Sequence, residues 1–230
     1  MVKLKRYIFG FLLALSFLNV GCVTEESSNV NQDRIYTSYE LFYDTNEDKT
    51  YAKAQFKFGN AGGTLLKLSG NSGVKFNGET LVYDEGVATY QKQLAGKVMS
   101  GTFVWTDTNG KNFTNSITLN SIGFPPAVTE ISRSGAFELS WVGTALEAKE
   151  TVTATVFYSS NGGPPQVAVQ SSQGSQSVTF GKNQLEALNA GNISISMDRS
   201  KSPDLAEKTA AGGIIVGKFR SQNANVTLKN

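Results

Sequence analysis

The chain has 230 residues, no histidine, one cysteine and a formal charge of +2. The missing histidine excludes Ser-His-Asp and Cys-His catalysis and removes the commonest zinc and copper ligand, and a lone cysteine cannot form an internal disulfide. Lys3, Lys5 and Arg6 lie in the first 21 residues, which leaves 18 basic against 19 acidic residues beyond them, without the clustered basic face that a nucleic-acid partner needs.

Those three basic residues precede an uncharged run at 7–18 (YIFGFLLALSFL), which predicts a cleavable secretory signal over 1–21. The run is too short for a membrane-spanning helix, which needs about 20 apolar residues. Cys22 follows in L-N-V-G-C, a pattern that resembles the lipobox of bacterial lipoproteins. Gly21 supplies the small residue before the cysteine and Val20 fits, while Asn19 stands where leucine is usual. The resemblance implies that Cys22 becomes the first mature residue and carries a thioether-linked diacylglycerol, so that a membrane is the expected partner. Residues 23–33 (VTEESSNVNQD) are polar and lack apolar periodicity, which predicts a flexible tether over 22–33. Glu25 and Glu26 resemble the acidic export signal of some Bacteroidota lipoproteins, and Val23 in place of aspartate implies the outer membrane, on its periplasmic face or at the cell surface.

Beyond residue 33, short alternating runs rich in Val, Ile, Thr, Phe and Tyr predict strands at 35–43, 51–58, 64–68, 73–76, 80–83, 88–94, 102–107 and 113–119. Asn77-Gly78 and Asn109-Gly110 predict two hairpins, because tight turns need positive φ that Asn and Gly tolerate. The two prolines of 121–127 (SIGFPPA) deny a ladder two donors and place a linker at 121–135. Further strands are expected at 136–142, 151–158, 166–170, 177–180, 193–198, 213–221 and 224–228. A helical turn at 182–188 and a long loop at 199–212 complete the second half.

The two halves share motifs in the same order. Tyr39-Glu40-Leu41 parallels Phe137-Glu138-Leu139, each followed by a Thr-rich strand, and N-S-I-T-L at 115–119 parallels A-N-V-T-L at 224–228. This suggests an internal repeat. The expected fold class is therefore all-β: two tandem immunoglobulin-like antiparallel β-sandwiches at 34–120 and 136–230, each with the size and strand count of such a domain. Trp105 and Trp141 are expected as core anchors. The runs A-Q-F-K-F-G (54–59), W-T-D-T-N-G-K-N-F-T-N (105–115) and L-E-A-L-N-A-G-N-I-S-I-S-M-D-R (185–199) resemble a group of Bacteroidota envelope lipoproteins of uncharacterised function, a resemblance that implies a fold and an envelope address and no catalytic residue.

Chemistry is sparse. Asp84 with Glu85 and Glu147 with Glu150 are the carboxylate pairs a glycosidase could use, but their polar contexts predict solvated surface. Asp44-Thr45-Asn46-Glu47-Asp48 opens like a calcium-binding EF-hand loop, yet Lys49 occupies its glycine position and Gln55 its bidentate glutamate position. The glycine pairs of 60–63 and 210–213 lack the phosphate-binding pattern and read as turns. No catalytic residue, metal ligand or cofactor is assigned. The expected function is a non-enzymatic lipid-anchored envelope protein that binds or scaffolds an envelope protein or glycan through 44–48, 161–165 or 199–212. The alternative is a carbohydrate-binding or glycoside-active accessory lipoprotein.

Overall fold

The computed structural model describes residues 24–126, 128–158 and 164–230. Cys22 and residues 161–163 of the expected binding loop lie outside the described residues.

The protein is all-β. In chain order the strands are β1 (Thr24–Glu26), β2 (Ile35–Asp44), β3 (Lys49–Phe58), β4 (Leu65–Lys67), β5 (Gly73–Phe76), β6 (Glu79–Thr80), β7 (Val82–Asp84), β8 (Thr89–Ala95), β9 (Ser100–Thr106) and β10 (Asn112–Thr118). The second half adds β11 (Glu130–Ser132), β12 (Phe137–Ser140), β13 (Glu150–Tyr158), β14 (Gln166–Gln170), β15 (Ser177–Phe180), β16 (Gly191–Lys201), β17 (Gly213–Arg220) and β18 (Ala224–Lys229). One short helix, α1 (Lys182–Glu186), lies before β16, and buries Leu185 while Leu188 is buried just beyond its end.

Alternation with period two explains the layers. Tyr39, Leu41, Ala52, Ala54 and Phe56 fall on one face of β2 and β3, and that face is covered by the four-stranded sheet β10-β9-β5-β6. Tyr39 stacks on Phe103 with centroids 5.0 Å apart, Phe56 meets Trp105 at 5.3 Å, and Trp105 stacks on Phe113 at 4.6 Å. Val152, Ala154 and Val156 of β13 and Ile193, Ile195 and Met197 of β16 form a second inner face, beside Leu139, Val178 and Phe180 of the two-stranded sheet β12-β15. Both tryptophans are buried as expected, and each indole N–H finds an acceptor: Ser72 Oγ for Trp105 and the Thr144 carbonyl for Trp141, both at 3.1 Å.

The hairpins form where the turn chemistry places them. Asn77 and Gly78 both take positive φ (49° and 84°) between β5 and β6, and Gly110 takes φ 80° between β9 and β10.

Four expectations are corrected. First, the tether predicted over 22–33 is ordered wherever it is described. β1 pairs in parallel with β4, two 3-10 turns follow at Ser27–Asn29 and Gln32–Arg34, and Ser27 is fully buried. Polar bonds hold this segment, so apolar periodicity could not reveal it.

Second, three pairings are parallel in folds expected to be antiparallel throughout: β1 with β4, β11 with β18, and β17 with β2. The β17–β2 ladder runs from Gly213↔Thr37 to Arg220↔Asp44, which inserts a strand from the second half into the sheet of the first. β16 pairs with β17 over 198–201 and with β18 over 191–195, so a single twelve-stranded sheet crosses the division expected at 121–135. Gly217 allows this joint, because a Cβ there would lie 2.8 Å from both Ile117 and Leu119.

Third, the motifs that suggested a repeat occupy different places. Tyr39-Glu40-Leu41 lies in β2 beside β3, whereas Phe137-Glu138-Leu139 lies in β12, which pairs with β15 and not with the Thr-rich β13. Fourth, the loop predicted from 199 begins later, because β16 continues to Lys201.

Candidate functional site

β13 and β16 carry their inward phase past the apolar residues and onto two charges. Glu150 precedes Val152, Ala154 and Val156 on the inner side, and Arg199 follows Ile193, Ile195 and Met197. Val152 is the cross-strand partner of Arg199, so Glu150 lies on its diagonal. The Glu150–Arg199 pair closes at 2.5 Å with side-chain exposures of 0% and 1%. The expectation that Glu150 is solvated surface is therefore wrong.

This pair is a fastener between segments. Glu150 also accepts from the Asn120 amide at 2.6 Å and from the Glu147 backbone N–H at 2.8 Å, while Arg199 donates to the carbonyls of Thr144 (2.8 Å) and Ala145 (3.0 Å). It joins Asn120 just before the expected linker, the 144–147 loop and two strands. Burial pushes the Glu150 carboxyl upward, but the hydrogen bonds from Arg199, the Glu147 N–H and Asn120 outweigh it and hold the group below the ordinary carboxylate value. A group held ionised by three donors makes a poor proton carrier.

The other suspected carboxylates are also engaged. Glu147 pairs with Lys201 at 2.6 Å, Glu85 pairs with Lys67 at 2.5 Å, and Asp84 accepts from Gln91 (2.6 Å) and the Gly86 N–H (2.9 Å).

A second charged cluster lies where β17 joins β16 and β2. Arg220 grips Asp198 through Nε at 2.7 Å and Nη2 at 2.9 Å and reaches Asp44 at 3.5 Å, while Lys218 meets Asp198 at 2.9 Å. Both cations lie over the Phe42 ring, at 5.1 Å for Lys218 and 5.3 Å for Arg220. Burial raises the Asp198 pKa, yet hydrogen bonds from Arg220 and Lys218 bring it below the usual aspartate range. The arrangement locks the continuous sheet at its seam.

The carboxylates of the 44–48 turn are engaged within the protein. Asp44 Oδ1 accepts from the Asn46 backbone and amide nitrogens at 2.9 Å each, Asp48 accepts from the Tyr43 hydroxyl at 2.9 Å, and the Arg220 guanidinium stands beside Asp44. Asp44 and Asp48 thus each accept from donors within the protein. Among the described residues no group of three His, Cys, Asp or Glu side chains could hold a metal ion.

The N-terminal seat was absent from the sequence reading. Ser69 N–H donates to Ser27 Oγ at 3.0 Å, Ser28 N–H donates to Ser69 Oγ at 3.1 Å, and the Gln32 amide donates to the carbonyls of Ser27 (2.7 Å) and Val30 (2.9 Å). Thr108 N–H donates back to Gln32 Oε1 at 3.3 Å, tying the segment to the β9–β10 turn. These bonds hold the segment that follows β1, and Thr24, two residues after Cys22 in sequence, is placed by the pairing of β1 with β4. No helix among the described residues is long and apolar enough to cross a membrane.

Of the loops expected to bind, 44–48 packs against the β17–β18 connection through Asn46 and Asn223. In 199–212, Leu205 and Thr209 are buried, with Thr209 donating to the Ile35 carbonyl at 2.7 Å. The structure thus uses both segments to join the two halves. Arg199, Asp198, Arg220 and Asn120 were not singled out in the sequence. For Arg199 the signal was present, because a charge in the inward phase of I-S-I-S-M-D-R needs a buried partner.

No protein-family model matches the chain, and no curated protein does. Among solved structures it is similar to a tetra-tandem repeat in the extending region of a large adhesion protein, at 14% identity and a TM-score of 0.29, over 84% of this chain and 49% of that one. A second similar structure belongs to a 1.5-MDa bacterial ice-binding adhesin, at 15% identity and a TM-score of 0.24, over 85% of this chain and 65% of that one. The chain spans less than two thirds of the length of either.

Proposed function

We propose that the protein is a non-catalytic component of a bacterial cell envelope, held to the outer membrane by lipid on Cys22, with a binding or scaffolding role for its β-sandwich body. The observation that carries this reading is the position of Cys22, the only cysteine, just after the 7–18 apolar run and two residues before β1. The use of Glu150, Asp198 and Asp44 as ion-pair fasteners supports it, because none is left as an acid or base beside a cleft. Burial of Trp105 and Trp141 removes the two rings best suited to a sugar platform.

The test is Cys22→Ser in the producing cell. The unchanged chain should incorporate labelled palmitate and sediment with membranes, whereas the variant should incorporate none and leave the membrane fraction or accumulate unprocessed. Equal palmitate labelling and equal membrane retention in the two forms contradict the reading.

A further inference from the structure

β1 enters the sheet at a defined end of the body. Thr24 lies beside Leu65, Leu65 beside Lys57, and Lys57 beside Tyr36, so the chain arrives where β3 stops and β2 starts. The 59–64 loop occupies that end. So do Asp33 and Arg34, with Asp33 accepting from the Ala210 N–H at 3.1 Å through its carboxylate and from the Ala211 N–H at 3.3 Å through its carbonyl. The 107–111 turn joins them through Thr108 and Gln32. Arg34, Lys57, Lys111 and Lys208 lie around this end, together with Asp33, Asp107 and Glu207, which accept from the backbone N–H groups of Ala210, Asn109 and Thr114, and with the exposed Glu25 and Glu26 of β1.

We infer that this end, formed by 33–35, 59–64, 107–111 and 208–212, lies against phospholipid head groups, so that the body is seated on the bilayer and does not stand off it. The inference rests on the reading of Cys22 as the lipidated residue. Only Val23 separates Cys22 from Thr24, and two residues of extended chain span at most about 7 Å. That is close to the thickness of one head-group layer, about 5–7 Å. A loose segment from 22 to 34 would have allowed a stand-off of about 40 Å, but the β1–β4 pairing and the Ser27, Ser28 and Gln32 bonds remove that slack. Arg34, Lys57, Lys111 and Lys208 are the side chains of this end that can meet head-group phosphate, while the short reach of the chain, not net charge, sets the orientation. The 44–48 turn lies at the other end of β2, about 30 Å away, and therefore faces away from the membrane.

Amide hydrogen exchange on the acylated protein, reconstituted in vesicles of phosphatidylethanolamine and phosphatidylglycerol at about 3:1, tests this against the mature Cys22→Ser chain in solution. Exchange in 59–64 and 107–111 should slow roughly threefold or more on vesicles and stay unchanged at 44–48. Inserting ten Gly/Ser residues between Val23 and Thr24, which adds about 17 Å of reach, should abolish the slowing while flotation with vesicles persists. Acylated, floating protein with no slowing at 59–64, or with slowing at 44–48 instead, overturns the seated orientation and leaves the lipid reading intact. An unacylated Cys22 in protein purified from membranes overturns both.

Discussion

Breaking the Glu150–Arg199 pair gives the sharpest energetic test of the fold. Arg199→Met leaves a buried carboxylate with bonds from Asn120 and the Glu147 N–H but no counter-charge. Glu150→Gln leaves the guanidinium on two carbonyls without its anion. Removing one partner of a buried pair costs about 3–5 kcal/mol, a large part of the 5–15 kcal/mol typical of a folded domain. The double variant removes both charges, so it should cost at least about 2 kcal/mol less than the sum of the singles. Urea or guanidinium unfolding at pH 7 measures all four proteins. The pH dependence supplies an independent sign. Glu150 is held below its ordinary value of 4.5 in the folded protein, so its contribution is complete above that value and is lost as pH falls through the lowered one. In Arg199→Met the carboxyl loses its main stabilising donor and burial prevails, so the gap to the unchanged protein should narrow between pH 7 and pH 4. Singles costing under about 1 kcal/mol, or a strictly additive double variant, would refute the fastener role.

Other consequences are checked by similar means. Gly217→Val places carbon 2.8 Å or less from Ile117 and Leu119, which should cost about 1–3 kcal/mol and lower the melting temperature by about 3–10 °C; scanning calorimetry should show one transition, because the sheet is continuous. Burial raises the Tyr90 pKa to about 12, beyond the opposing effect of its bond from the Leu68 N–H. Stability should therefore hold up to pH 10 and fall by about 2–3 kcal/mol between pH 10 and 12, and Tyr90→Phe should show a weaker alkaline decline in the same titration. Ser27→Val orphans the Ser69 N–H and should release the N-terminal seat, read as faster amide exchange over Thr24–Glu26 with little change in the global unfolding midpoint.

What was legible in the sequence was local. Asn77-Gly78 declares its own turn, because the φ requirement lies within two residues, and Trp105 declares its burial through the alternation around it. The 24–34 segment gave no such signal. Its seat depends on Ser27 meeting Ser69 and on Gln32 meeting Thr108, contacts between residues far apart in the chain whose side chains look solvated when read alone. β17 was readable as a strand, but its parallel partner β2 lies about 175 residues away and no spacing rule points to it. The apparent repeat shows the opposite error: Tyr39-Glu40-Leu41 and Phe137-Glu138-Leu139 share a period-two pattern that any half-buried strand would show. Glu150 was misread because its neighbours in sequence are polar, although its phase along β13 was inward.

The central claim is that Cys22 is the mature N-terminus and the point of attachment. Mass spectrometry of the N-terminal peptide from membrane-extracted protein tests it most directly. The account predicts a peptide that begins at Cys22 and carries the added mass of diacylglycerol on sulfur. A peptide that begins elsewhere, or one that contains Cys22 as a free thiol, would contradict it.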